Sequence, residues 1–341
     1  MVDHPSQMRQ GLAPFPDRLY VVTAISNPVR YLSRYRLYRQ FEKHCADSGA
    51  ILHAVECAFG ERPFEITQAD NPRHVQVRSL DELWHKENLL NIGINRLPPE
   101  AKYIAWIDAD VHFLRPDWVQ ETLHQLQHYH VVQMFSQSMD LGPQYQQVDA
   151  AISWTESIKQ GLNFKGVTQL QQLVDGSHIH NVPIKSPWVR GAWHSGLAWA
   201  ATREAFNAVG GLIDIAILGS ADRNMAAGLY GFMEDTIDPT FSPGYRRELL
   251  RWQERAERHI RRDVGQVDGI LAHYWHGSKR LRFYTERWKI LSKWQFDPLT
   301  DIKRDAQGLW QLEDAHDLRS IGLRDDLRRY FRARDEDSTD L

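Results

Sequence analysis

Residues 103–113 read Tyr-Ile-Ala-Trp-Ile-Asp-Ala-Asp-Val-His-Phe. A short apolar run bounded by polar residues predicts a buried strand, here ending in two carboxylates, Asp108 and Asp110. In open α/β sheets, ligands bind beyond the carboxyl ends of the strands. Period-2 alternation aims both acids the same way. Two like charges that close call for a cation, and hard carboxylate oxygens suit Mg²⁺ or Mn²⁺ shared with a substrate's phosphates. The plainer alternative is an Asp pair capping a turn before Pro116.

Strands and helices alternate on both sides of this stretch. Leu19–Ile25 is an apolar, β-branched run broken by Ser26-Asn27-Pro28. From Tyr31, the residues Tyr35, Tyr38, Phe41 and Cys45 fall at helical spacing, and the helix ends near Gly49. Ile51–Cys57 and Val75–Arg78 read as strands. Ser79 and Glu82 form a capping-box pattern before a helix carrying Leu83, Leu90, Ile94 and Leu97. Pro116 opens another helix, and Val131–Phe135 is strand-like. The alternation predicts an α/β fold with a mainly parallel sheet flanked by helices.

Residues 136–190 are rich in Gln, Gly and Ser and read as an elaborated loop or lid. Regular pattern resumes with a strand at Gly196–Ala201 and a helix at Arg203–Val209. A charged helix over 245–262, a strand at Val267–Tyr274 and a helix near Arg280–Leu291 follow. Residues 1–17 read as a leader, 18–332 as a single domain, and 333–341 as a frayed acidic tail.

The 341 residues carry 41 Lys+Arg against 44 Asp+Glu, a net charge of −3. That balance excludes a disordered chain and a strongly basic nucleic-acid binder. Cys45 and Cys57 form neither a disulfide framework nor a four-ligand zinc site. No apolar run reaches the ~18–20 residues of a membrane span. The first residues have no apolar core of a secretory signal, so the expected location is cytoplasmic, with no membrane partner. The arginines of 245–262 are interleaved with glutamates, as on a solvated salt-bridged face. A modified DNA base as acceptor is the nucleic-acid alternative.

Three further features carry chemistry. His273 and His276, in His-Tyr-Trp-His-Gly, can meet one metal if the strand breaks into a turn, and Mn²⁺ accepts nitrogen beside carboxylate. Otherwise they are ordinary hydrogen-bonded histidines. Asp222, behind Gly219-Ser220-Ala221, is a candidate general base for an alcohol or a plain helix N-cap. Lys86 flanks an apolar stripe and could reach a diphosphate, or it is a surface lysine with a buried stem.

The order of these motifs resembles that of metal-dependent glycosyltransferases of the GT-A fold, a Rossmann-like nucleotide-diphospho-sugar transferase architecture. The pattern is nearest to the β-1,4-galactosyltransferase family. The matching stretches are VVTAISNPVRY (21–31), KENLLNIG (86–93), IDADVHF (107–113), LGSADRN (218–224) and HYWHG (273–277). The resemblance covers about residues 19–290 and implies a nucleotide-sugar donor, a UDP-sugar being favoured. It implies that Asp110, His273 and His276 hold Mn²⁺ (or Mg²⁺), with Asp108 near the metal and the ribose. Thr23, Asn27, Arg30, Lys86, Lys279 and Arg282 fall on the donor side, and Asp222 becomes the base of an inverting transfer to an acceptor hydroxyl of a glycan or other molecule. Trp193 and Gly219 fall on the acceptor side, and Trp188 is a further candidate for an acceptor wall. The family often has Met where His273 stands. Its acidic motif has Glu where Ala221 stands, so its acceptor does not carry over.

Two other enzyme classes fit less well. Aspartyl-nucleophile phosphatases place Thr or Val where His112 stands and use the first strand. Sugar nucleotidyltransferases need a Gly-rich loop after the first strand, which SNPVRY is not. A non-catalytic sugar- or nucleotide-binding protein on the same fold is the remaining alternative.

Overall fold

A computed structural model describes residues 17–159, 193–284, 286–313 and 317–340. Residues 1–16 of the expected 1–17 leader, most of the 136–190 loop and Trp188 lie outside the described residues. Strands β1 (Leu19–Ser26), β2 (Ile51–Phe59), β3 (His74–Ser79) and β4 (Tyr103–Ile107) pair in parallel in the order β3-β2-β1-β4. Strands β6 (Val131–Gln133), β10 (Ala198–Thr202) and β11 (Val264–Gln266) extend this sheet to seven strands, and only β10 runs antiparallel. The fold is therefore α/β, with a mainly parallel central sheet flanked by helices.

Alternation along β1 shows why the sheet is sandwiched. Tyr20 and Val22 join one core cluster, and Leu19, Val21 and Ile25 join the other. A strand buried on both faces needs helices on both. Helix α1 (Leu32–Asp47) covers one face through Tyr38, Phe41 and Cys45. Helix α2 (Lys86–Asn95) covers the other through Leu89, Leu90 and Ile94. A Cβ on Gly93 would lie 2.6 Å from Val55 and 2.7 Å from Val22, so this glycine is what lets α2 approach the sheet. Strand order reverses between β1 and β4, and the crevice of an α/β sheet opens at such a switch point.

A second sheet packs beside the first in the order β5-β12-β7-β8-β9. Its strands are β5 (Val111–Phe113), β7 (Gln137–Leu141), β8 (Gln147–Ser153), β9 (Trp193–His194) and β12 (Ile270–His273). The remaining helices are α3 (Trp118–Gln125), α4 (Trp154–Lys159), α5 (Arg203–Ala208), α6 (Ala221–Leu229), α7 (Pro243–His259), α8 (Trp288–Trp294) and α9 (Leu318–Arg332). A hairpin of β13 (Ile302–Arg304) and β14 (Trp310–Leu312) precedes α9.

The structure corrects several expectations. Ser79 caps no helix: its hydroxyl bonds Asp81 in a local turn, and α2 begins at Lys86 behind His85. Residues 137–159 contain β7, β8 and α4 rather than loop alone; the buried face of β7 carries the polar Ser138 and Asp140, and Val148 of β8 is exposed, so no apolar alternation marks these strands. The expected helix near Arg280–Leu291 splits into a 3₁₀ turn at Lys279–Arg282 and α8. The charged helix is α7, buried through Leu249, Trp252 and Ala256. Arg246 pairs with Glu234 and Arg251 with Glu248, as expected of a mixed-charge face. Among the described residues, no helix is long and apolar enough to cross a membrane.

The expected frayed tail is instead a strap. The Asp337 carboxylate accepts from Leu32 N and Ser33 N, both at 2.8 Å, and so caps α1. Trp275 Nε1 donates to Ser338 O at 2.7 Å. Gly277 (φ +87°) admits the strap, since a Cβ there would lie 2.6 Å from Asp335 O.

Candidate active site

Backbone register builds one wall of the crevice. Asp110 stands between β4 and β5. β12 pairs His273 with Val111 of β5 and with Asp140 of β7. Tyr274 N donates to Asp110 O at 2.8 Å, so the acid and the histidine turn are tied through main chain. His276 Nε2 lies 3.1 Å from Asp110 Oδ2 and 3.2 Å from His273 Nε2, and His273 Nε2 lies 3.9 Å from Asp110 Oδ1.

Hydrogen bonding behind this cluster sets its chemistry. Asp140 Oδ1 lies 2.6 Å from His273 Nδ1, which places that proton on Nδ1 and leaves the Nε2 lone pair turned to the cluster. Burial works against the Asp140 charge, but the bonds from His273 and Lys279 hold its carboxyl well below the usual range. Burial depresses His276, with Arg282 adding to the effect, and so favours the neutral imidazole that ligates metal. Asp110 Oδ1 is buried without a hydrogen-bond partner. An orphaned carboxylate oxygen facing two imidazole nitrogens is a donor set that fits a divalent cation accepting mixed nitrogen and oxygen. Nε2 of His273 and of His276, with a carboxylate oxygen of Asp110, would hold it.

The opposite wall comes from helix beginnings. Lys86, the first residue of α2, places Nζ 2.5 Å from Asp108 Oδ1. Burial opposes the ammonium, but Asp108, then Glu87 and Asp222, more than offset it and hold Lys86 above its ordinary value. Glu87 is buried, and burial pushes its carboxyl up to about 7 against the pull of Lys86. Asp222 sits in the first turn of α6, where Oδ1 accepts from Arg223 N at 2.9 Å. A Cβ on Gly196 would collide with Asp222 Oδ2, so Gly196 makes room for this acid. Burial pushes the neighbouring His194 down to about 4.

The strap closes a third side. Glu336 is 3% exposed and accepts from Arg34 and from Arg334, at 2.7 Å for Arg334 Nε. These two arginines hold its carboxyl down at about 2, against burial.

Asp108, Asp110, His273 and His276 line one crevice with Lys86, Asp222 and Arg282. Asn27 lines it too, but its amide is engaged with Tyr31 N at 3.0 Å and Tyr31 O at 2.9 Å. Other expected residues stand elsewhere. Thr23 is buried and donates to Ile107 O at 2.7 Å, which fastens β1 to the end of β4. Arg30 is exposed and pairs with Glu65 at 2.6 Å. Lys279 bridges Asp140 at 2.6 Å and Asp149 at 2.8 Å. Trp193 packs against the core from β9, and Gly219 packs against Trp84 and Arg287. Sequence reasoning missed Asp140, Glu87, His194, Arg287 and the Arg34–Glu336–Arg334 group. Alternation of Ser138 and Asp140 was the one local signal; the others look like surface charge until the chain is folded.

No protein-family model matches the chain, and comparison with curated proteins finds no match. Solved structures do show similarity. One is a mutant of Drosophila β-1,4-galactosyltransferase 7 in complex with manganese, UDP-Gal and xylobiose, 10% identical, covering 87% of this chain and 95% of that one at a TM-score of 0.39. A complex of the catalytic domain of the same Drosophila enzyme with xylobiose has 10% identity, the same coverages and a TM-score of 0.38. A putative nucleotide-diphospho-sugar transferase from Desulfovibrio desulfuricans G20 is 10% identical and covers 93% of this chain and 96% of that one, at a TM-score of 0.29. Similarity at this level carries no function across, so a function has to come from the crevice itself.

Proposed function

We propose that this chain is a metal-dependent glycosyltransferase that moves a sugar from a nucleoside-diphosphate donor, a UDP-sugar first among them, to an acceptor hydroxyl. The observation that carries the reading is the Asp110–His273–His276 cluster at the β1/β4 switch point, in one crevice with Lys86, Asp108 and Asp222. A bound divalent cation supplies charge neutralisation for the departing diphosphate. Lys86, held protonated, and Arg282 add fixed positive charge within the same crevice. Asp108 holds Lys86 in place at 2.5 Å. Asp222 takes the proton from the attacking hydroxyl through Oδ2, the oxygen not engaged by Arg223 N. The acceptor oxygen bonds to the anomeric carbon as the carbon–phosphate oxygen bond breaks. With base and leaving group on opposite sides of the sugar, configuration inverts.

Thermal shift with UDP-, GDP-, ADP- and dTDP-sugars, with and without Mn²⁺, tests the reading. One nucleotide is expected to raise Tm only when Mn²⁺ is present, because a ligand that binds the native state stabilises it by mass action. That nucleotide sugar is then expected to release nucleoside diphosphate. Binding without release would leave a non-catalytic binding protein, and no metal-dependent binding by any of the four would sink the proposal.

A further inference from the structure

The first turn of α6 carries more than the proposed base. Ser220 stands at its N-cap with φ +77°, yet its hydroxyl accepts no helix N–H. Instead it accepts from Arg287 and, at 3.2 Å, from Trp288 Nε1. Side-chain donors therefore converge on the positive end of a nine-residue helix. Arg287 is 7% exposed, lines the crevice, and has a buried Nε with no partner. Such an orphaned donor costs free energy unless something accepts from it. Neither Arg287 nor Arg223 forms an ion pair among the described residues. Arg223 lies over the Trp288 ring at 5.2 Å; burial disfavours its charge, Asp222 supports it, and Arg287 adds to the effect of burial. Asp222 is the carboxylate beside them, and it faces the crevice as the proposed base.

We propose that Arg287 and the first turn of α6 form a seat for an anionic oxygen group, phosphate or carboxylate, carried by the acceptor. The inference rests on the glycosyltransferase reading for the word acceptor, since the seat adjoins Asp222 and not the Asp110–His273–His276 wall. It deepens that reading by making the acceptor an acidic molecule rather than a neutral sugar. A planar guanidinium and a helix N-terminus are both suited to such a group. An anchor tied through Ser220 to the turn that carries the base would hold the acceptor hydroxyl against Asp222.

The seat can be tested without metal or sugar nucleotide. Metal-free protein in EDTA is titrated calorimetrically with inorganic phosphate and with acetate, which represent the two sources of charge. At least one is expected to bind, and Arg287→Gln is expected to weaken it at least about tenfold, the loss of one hydrogen-bonded charged partner. Arg287→Lys, which keeps the charge, should recover part of that loss, and an unchanged circular dichroism spectrum would separate lost binding from lost folding. The stronger of the two responses assigns phosphate or carboxylate. No binding of either anion overturns the seat, as does binding that follows Arg282→Gln and ignores Arg287→Gln. In turnover, the bound anion should compete with acceptor; competition with the sugar nucleotide instead would overturn its assignment to the acceptor. Because the titration needs no turnover, a failed seat and a failed glycosyltransferase reading give different results.

Discussion

The two walls of the crevice are made by different means. On one, sheet register does the positioning: β12 is hydrogen-bonded between β5 and β7, so His273 lies beside the segment that carries Asp110 and directly beside Asp140. A slip of one residue would send His273 to the opposite face. On the other, Lys86, Glu87 and Asp222 project from the first turns of α2 and α6, and the charges of Lys86 and Glu87 are set by burial and by their neighbours. The first wall is suited to holding an ion in fixed geometry. The second is suited to holding and moving protons.

That division is open to a double dissociation. Asp222→Asn should reduce transfer by about 10²–10⁴-fold, the range for a lost general base, with Mn²⁺ affinity unchanged by calorimetry. Equal loss of metal binding would show that the walls are not separate. Asp140→Ala should do the reverse. It removes the partner that sets the His273 tautomer, so Mn²⁺ affinity should fall by about 10–100-fold. Asp140→Asn, which keeps an acceptor, should fall less. If both Asp140 variants bound Mn²⁺ as the wild type does, the hydrogen bond at 2.6 Å would have no role in orienting the ligand.

The same contrast explains what was legible in the sequence. The strand at 103–107, the helix with Leu90 and Ile94, and the parallel sheet follow from apolar periodicity, which packing then satisfies. The Asp108/Asp110 pair and the His273/His276 pair were visible because their spacing is local. Asp140 was not, because its meaning comes from a strand partner 133 residues away. The tail was misread for a related reason. A run of charges ordinarily stays solvated, but Glu336 finds Arg34 and Arg334, and Asp337 finds the uncapped start of α1. Arg30 and Lys279 show the reverse case: basic residues expected on the donor side that pair with Glu65 and Asp149, which lie outside any motif.

The pH dependence of stability is the expectation most specific to the helix-borne wall. Glu87 has its carboxyl raised from 4.5 to about 7, with burial the largest cause, Lys86 opposing and Asp222 adding to the rise. Below pH 4.5 both folded and unfolded states hold the proton, so this group does not weaken the fold. Between pH 4.5 and about 7 the unfolded chain releases it while the folded chain keeps it. Stability therefore falls as pH rises, by at most about 1.4 kcal/mol per pH unit. Above that window the penalty is complete and constant. Glu87→Gln cannot titrate, so its Tm should gain on the wild type across this window and then run parallel to it. A Tm difference that is flat with pH would show that Glu87 ionises normally. Asp222→Asn, which removes one of the charges that raise Glu87, should narrow the window from its upper end. Asp140→Ala should leave it unmoved, since Asp140 belongs to the wall that register builds.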